Sequence, residues 1–259
     1  MNSNNPVLGR GFGQGQQHAT WNTPNADQLQ TMYDRPAYTP PRYLTLDDVV
    51  VKTAATLGVL TAVGTLAWVF ELGPLALVGA LVGFVLALVI TFRQSTSPAL
   101  ILSYAAAEGL FLGAISRVFN DAFGGGIVIQ AVVGTLGVFA GMLVVYKTGA
   151  IRVTPRFTRW LLGAMVGVVS LMLVNLVASM FVSGGLGLRS SSSPALAIGF
   201  SLLCIGVAAF SFLLDFDMID RAIRQGTPER FAWYAAFGLT VTLVWLYLEI
   251  LRLLSYLRN

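Results

Sequence analysis

The 259-residue chain is 56% hydrophobic, and only 11% of its residues are charged, against roughly 25% in soluble domains. Its apolar residues form blocks of about 20, the helix length that crosses a hydrocarbon core of about 30 Å, so an ordinary soluble domain is excluded. The formal net charge of +4 is the excess expected beside membrane helices and does not indicate nucleic-acid binding.

The first 48 residues differ from the rest of the chain. They are rich in Asn, Gln and Gly and poor in aliphatic residues, which predicts a disordered, polar, cytosolic tail over residues 1–48. The tail lacks the apolar core of a signal peptide. A membrane domain is predicted over residues 49–257, and the preceding LTLDD predicts a helix start with Thr45 as N-cap.

Seven apolar segments predict an all-α fold, a bundle of seven transmembrane helices. In lipid, each backbone N–H and C=O must be paired internally, which an α-helix achieves within one segment. Gly, Pro and Ser between the segments are typical turn residues. The predicted spans are Val49–Phe70, Pro74–Phe92, Pro98–Val118, Gly126–Tyr146, Trp160–Val182, Pro194–Leu214 and a seventh that ends near Leu257.

Lys and Arg are divided unequally between the two sides of this bundle. Cytosolic loops carry an excess of these residues, which predicts a cytosolic N-terminus and an external C-terminus. The predicted cytosolic side holds Arg10, Arg35, Arg42, Lys52, Arg93, Lys147, Arg152, Arg156, Arg159, Arg221, Arg224 and Arg230. The other side holds Arg117, Arg189, Arg252 and Arg258.

Small residues predict where the helices approach one another closely. Four GxxxG pairs occur, and such pairs let helix backbones meet in membranes. We expect two or three of them to be contact faces within the chain. The pairs are Gly79/Gly83, Gly109/Gly113, Gly137/Gly141 and Gly163/Gly167.

Three carboxyl groups at membrane depth are the candidate functional residues: Glu108 in the third span, Asp215 at the end of the sixth and Glu249 in the seventh. Ionisable groups are costly in lipid, and they usually face a protein interior or a water cavity. Glu108 lies near the middle of its span, where a structural hydrogen bond and a functional role are both open. For Glu249, a local ion pair with Arg252 is the alternative to a functional role.

Asp215 is the deepest acid of the segment LLDFDMIDRAIR. Two acid–base pairs four residues apart, Asp217 with Arg221 and Asp220 with Arg224, predict solvated ion pairs on one helix. Asp215 is outside this pattern, and it is predicted to point elsewhere.

Three segments resemble signatures of the Bax inhibitor-1 family, in its bacterial-type members. The sixth-span ending LLDFDMID is similar to the family's (Y/F)DxxxI-like motif, and the seventh-span LYLEIL is similar to its LYLDFI. The third-span AAEGLFLGAIS is similar to AxEGLxLG, and the likeness extends loosely from about Val49 to Leu257. The resemblance implies seven helices in a bacterial cell membrane, with the last helix near the bundle centre.

In this family, two carboxylates on the last two helices form a proton-sharing latch that is associated with a pH-sensitive calcium leak. The resemblance assigns the latch to Asp215 and Glu249, as transient calcium ligands, and its supporting basic residue to Arg93. Glu108 is included in the same predicted ion pathway. The resemblance implies no bound cofactor; calcium enters as the permeant ion.

The chain departs from the family pattern at the seventh span, where Glu replaces the usual Asp and the interval from the first acid is about ten residues longer. A straight helix from Pro228 to Leu257 would be about 45 Å long and would carry Glu249 too far from Asp215. We therefore expect PERFAWYAAF to lie at the cytosolic interface, with a bend near Gly238 and a span over Gly238–Leu257.

Two functional hypotheses follow. The first is a pH-sensitive cation leak, with calcium as the permeant ion, gated by the carboxylate pair. The alternative is a membrane-embedded regulator that binds another membrane protein, such as a protease or a stress-response partner, which the polar tail and basic loops favour. An intramembrane enzyme is not predicted, because no Gly-Ser nucleophile motif occurs with a buried His (the single histidine, His18, lies in the tail) and the intramembrane acids lack the YD and GxGD contexts of aspartyl intramembrane proteases. The single cysteine, Cys204, excludes an intrachain disulfide.

Overall fold

Seven long helices follow one another in the computed structural model, and each is long and apolar enough to cross a membrane. The structure describes residues 42–181, 186–187 and 194–258, together with residues 25, 26 and 30. The predicted disorder of the tail therefore concerns residues that lie almost wholly outside the described part. The helices are α1 Leu46–Val69, α2 Ala76–Arg93 after a 3₁₀ turn at Gly73–Leu75, α3 Pro98–Phe123, α4 Ile127–Thr148, α5 Pro155–Ser179, α6 Pro194–Arg224 and α7 Phe231–Arg258.

The start of α1 confirms the predicted cap. The Thr45 side chain accepts a hydrogen bond from the Asp48 backbone N–H, and the Asp48 carboxylate accepts one from the Thr45 N–H. This reciprocal arrangement satisfies two N–H groups that the first turn of a helix leaves without partners.

Helix α6 ends at Arg224, ten residues beyond the predicted limit of its span at Leu214. Its last turns carry the two predicted ion pairs, Asp217 with Arg221 and Asp220 with Arg224, and both are present. Pairs four residues apart support a helix in water. The helix therefore continues after its apolar segment ends.

Helix α7 lies at the centre of the bundle, as the resemblance implies. It has the largest share of buried residues among the seven helices, and it packs against α6, α1, α4 and α3. It runs as one uninterrupted helix through Gly238, where the sequence predicts a bend. Its 28 residues make it about 42 Å long.

Glycines set the contact between α1 and α3. A Cβ atom added at Gly113 would overlap the carbonyl oxygen of Gly64, and one at Gly109 would overlap that of Leu60. Backbone therefore lies against backbone along this face, which is how small residues join membrane helices.

A second glycine pair, Gly79 and Gly83 of α2, faces α3. A Cβ at Gly79 would lie 2.9 Å from the Ala107 carbonyl oxygen. Two of the four predicted GxxxG pairs are thus contact faces within the chain. At the other two pairs, an added Cβ would meet no atom of the described residues within 4 Å; these are Gly137/Gly141 and Gly163/Gly167.

The two ends of the bundle are joined by different contacts. At one end, the segment before α1 pairs with the α6–α7 loop: the Leu44 N–H donates to the Thr227 carbonyl (2.8 Å), and the Glu229 N–H donates to the Arg42 carbonyl (2.9 Å). At the other end, Arg258 of α7 donates to the Phe123 carbonyl that closes α3. Seven successive spans would likewise put the start of α1 and the α6–α7 loop at one end, and the ends of α3 and α7 at the other. Which of the two ends is cytosolic remains a prediction.

Candidate functional site

Asp215 connects α6 to the central helix. It is half-buried on α6 between the buried residues Leu213 and Phe216, which pack into the bundle. One carboxylate oxygen accepts a hydrogen bond of 2.8 Å from the hydroxyl of Thr242 on α7. In the part of the chain that the structure describes, no basic side chain forms an ion pair with Asp215. A neutral hydroxyl is therefore its partner in a largely apolar setting.

Glu249 lies on the same central helix in a different environment. Only 2% of the residue is exposed, and its carboxylate forms an ion pair of 2.8 Å with Arg252, three residues later. The local ion pair that the sequence left open as an alternative is thus present. The negative charge of Glu249 is thus compensated by the positive charge of Arg252 on the same helix.

The structure does not join Asp215 and Glu249 by a hydrogen bond. Asp215 meets α7 at Thr242, and Glu249 follows seven residues later, two helical turns or about 10 Å along the axis. Because α7 continues without a break, the longer interval carries Glu249 past the level of Asp215. A proton shared directly between the two acids does not fit this geometry, and their roles in pH sensing and calcium binding remain predictions.

Glu108 lies between α2 and α3. Its carboxylate packs against Gly83 of α2, where an added Cβ would lie 3.1 Å from a carboxylate oxygen. One turn earlier, Tyr104 packs edge-on against Phe237 of α7, with ring centroids 5.0 Å apart. Tyr104 and Glu108 therefore lie on one face of α3, where Tyr104 contacts α7 and Glu108 contacts α2. Among the described residues, no hydrogen-bond partner reaches the Glu108 carboxyl.

Arg93 is the last residue of α2, and it is exposed. A cation at a helix C-terminus interacts favourably with the helix dipole, so this position has a local explanation. The described contacts of Arg93 include neither Asp215 nor Glu249. The predicted support of the acids by Arg93 is not seen as a contact.

A comparison of sequences decides the family. The sequence model of the family described as Bax inhibitor 1 like matches residues 5–259, nearly the whole chain. The chain belongs to this family. No curated protein matches it in a separate sequence comparison. Membership agrees with the seven-helix bundle and with the motifs of the sixth and seventh spans.

In this Bax inhibitor 1 like protein, further polar groups lie along the central helix, and they were not predicted from the sequence. Tyr247 of α7 shares a buried hydrogen bond of 2.6 Å with Ser116 of α3, and it lies between the levels of Thr242 and Glu249. Hydroxyl groups in an apolar span were a usable signal for both Tyr247 and Thr242. Their partners lie on other helices, and spacing along the chain does not reveal them.

A charged cluster at the α6–α7 loop was also missed. We call it the α1 clasp, and it consists of Arg42, Asp48, Lys52 and Glu229. Arg42 lies 2.9 Å from Asp48, and Lys52 lies 3.3 Å from Glu229. Lys52 also lies 5.9 Å from the centre of a Trp233 ring. The clasp joins the start of α1 to a loop 177 residues away, so only the fold brings its charges together.

The described residues contain no group of three or more His, Cys, Asp or Glu side chains that could hold a metal ion. Asp215 and Glu249 lie at different levels and do not converge on one point.

Proposed function

We propose that this membrane protein is a pH-sensitive cation leak, with Ca²⁺ as the permeant ion, and that Asp215 controls it. The observation that carries the proposal is the bond from the Asp215 carboxylate on α6 to Thr242 on the central helix. It places an ionisable group at the contact of two membrane helices, where its charge state affects how they pack.

The direction of the pH effect follows from solvation. A protonated Asp215 is neutral and is tolerated in an apolar contact, so α6 and α7 stay closely packed at acidic pH. An ionised Asp215 has one hydroxyl donor and no cation partner among the described residues, and burying such a charge is costly. Ionisation therefore favours entry of water and of a cation. Carboxylate oxygens are the ligands that Ca²⁺ prefers.

The remaining acids are assigned supporting roles in the same proposal. Glu249 lies two turns farther along α7, and its ion pair with Arg252 supplies a fixed polar point on the way to the opposite membrane face. Glu108 supplies a carboxyl between α2 and α3. Arg93 is an exposed positive charge at the end of α2; it would repel cations there, so its part in the proposal is to restrict their entry at that end.

Calcium entry into liposomes tests the proposal. The purified full-length chain is reconstituted in vesicles that contain a calcium indicator, and entry is recorded at an acidic and an alkaline pH beside protein-free vesicles. We expect protein-dependent entry that is greater at alkaline pH. No protein-dependent entry at either pH would refute the leak and favour the regulator of another membrane protein.

A further inference from the structure

An apolar groove lies between α5 and α6 on the outside of the bundle. Its volume is about 350 Å³. Trp160 and Phe210 line one end, and Leu171 and Leu203 line the other. Its floor includes Gly167 and Gly206, and a Cβ added at either would meet no atom of the described residues within 4 Å. No atom of the described residues therefore fills the space next to these two glycines.

The groove has the length of one lipid leaflet. From Trp160 to Leu171 the helix rises about 16 Å, roughly half of the 30 Å hydrocarbon thickness. A transmembrane helix of a partner, or of a second copy, would need a face along the whole span. One acyl chain of a single leaflet needs only a length of about 16 Å along the helix, which this groove has.

Unpaired cations lie at the Trp160 end of the groove. Arg156 is one turn before Trp160, which puts both residues on one helix face, and Arg159 is adjacent to Trp160. The segment 147–159 contains Lys147 and Arg152 as well, and it has no acidic residue. All four cations are exposed, and none forms an ion pair within the described residues. Tryptophan itself is enriched at membrane interfaces.

We propose that this groove binds an anionic phospholipid. One acyl chain lies along Gly167 and Gly206, and the headgroup phosphate contacts Arg156 and Arg159. Arginine pairs with phosphate oxygens through two parallel N–H donors, and the positive charge of Arg156 and Arg159 favours a negative over a zwitterionic headgroup. The ligand class follows from the chemistry of the groove and its rim, and the inference does not depend on cation conduction.

Native mass spectrometry of the purified full-length protein tests the proposal. Dioleoyl phosphatidylglycerol and dioleoyl phosphatidylcholine are added at equal concentrations, and the retained lipid is counted. We expect the wild type to retain phosphatidylglycerol preferentially. Arg156→Gln and Arg159→Gln should each weaken this binding about fivefold. Arg230→Gln, an exposed arginine of the α6–α7 loop, should leave it unchanged.

A second variant tests the groove itself. Gly206→Leu places a side chain in the open space and should remove the bound lipid while leaving the arginines intact. Gly137→Leu on α4, which also meets open space, is the matched control. Equal retention of both lipids by the wild type would overturn the proposal. So would loss of binding in the arginine variants with full retention in Gly206→Leu, since the arginines alone would then suffice. A dimer that Gly206→Leu dissociates would assign the groove to a second copy and would overturn it equally.

Discussion

Asp215 and Glu249 are both acids in membrane helices, and their partners differ in charge. Glu249 has an arginine three residues away on its own helix, which compensates its negative charge. Asp215 has the hydroxyl of Thr242, which donates a hydrogen bond and carries no charge. Ionised Asp215 therefore lacks the counter-charge that Glu249 has, and for this reason we propose that Asp215 carries the pH response.

Thr242→Val tests the contact of Asp215 with α7. The change keeps the side-chain shape and removes the hydroxyl, so ionised Asp215 loses its donor. We expect the midpoint of calcium entry against pH in liposomes to move to a more alkaline value, because the charged form loses a stabilising bond. Thr240→Val is the control, since Thr240 is buried on the same helix and, among the residues that the structure describes, its hydroxyl bonds to the Ala236 carbonyl alone. Equal shifts in both variants would show that the Asp215 contact is not responsible.

The sequence predicted the depth of these acids and could not predict all of their partners. Apolar neighbours identify Asp215 and Glu249 as membrane-buried, because lipid imposes one environment along a whole span. The Arg252 pair of Glu249 is local, so its spacing is visible in the sequence. Contact of Asp215 with Thr242 depends on the rotation of α6 about its axis relative to α7, which no local pattern encodes.

Among the helices, α1 and α3 have the closest contact that glycines explain. Gly109 and Gly113 of α3 meet the backbone of α1 at Leu60 and Gly64. A side chain there would have to push the helices apart, and packed helices do not absorb added volume cheaply.

Gly113→Ala should therefore lower the thermal stability of the detergent-purified protein. Overpacking of this kind costs about 1–3 kcal/mol, against a small gain in helix propensity. Gly137→Ala carries the same gain in propensity at a position with open space, so its melting temperature should not fall. If Gly113→Ala melted no lower than Gly137→Ala, the close α1–α3 contact would be wrong.

The existence and order of the helices were predictable, and their ends were less so. A long apolar segment indicates a membrane-spanning helix, because backbone N–H and C=O groups in lipid must be paired internally and an α-helix pairs them within one segment. Helix α6 nevertheless continues to Arg224 through two ion pairs, and α7 passes Gly238 without interruption. The α6 extension carries charged side chains beyond the apolar segment, where hydrophobic length carries no information. At Gly238, the preceding Phe237 packs against Tyr104 of α3, a contact between helices that the local sequence does not reveal.

Across the whole molecule, contacts at the two ends agree with an odd number of crossings, counted from the start of α1 to the end of α7. The segment before α1 pairs with the α6–α7 loop, and the end of α7 meets the end of α3. The integral membrane fold follows from the seven apolar helices. The division of twelve cations against four predicts which end is cytosolic.

Reporter fusions test this orientation. A reporter inserted in the loop between Thr148 and Thr154 should read as cytosolic, and one fused after Asn259 should read as external, because the segment 147–159 that contains the loop has three Arg and one Lys and no acidic residue. Fusions at both sites assayed in the same cells control for expression. Reporters on one side would contradict the span assignment, and reporters exchanged between sides would contradict the orientation alone.

The central claim is that ionisation of Asp215 opens a cation leak. The measurement that tests it most directly is calcium entry into liposomes across a pH series for Asp215→Asn beside Asp217→Asn. Asp217 is four residues from its partner Arg221 on the extended end of α6, and such pairs contribute little, so Asp217→Asn should keep the wild-type pH profile. Asp215→Asn should give entry that no longer varies with pH, since the side chain cannot ionise. An unchanged pH profile in Asp215→Asn would contradict the account.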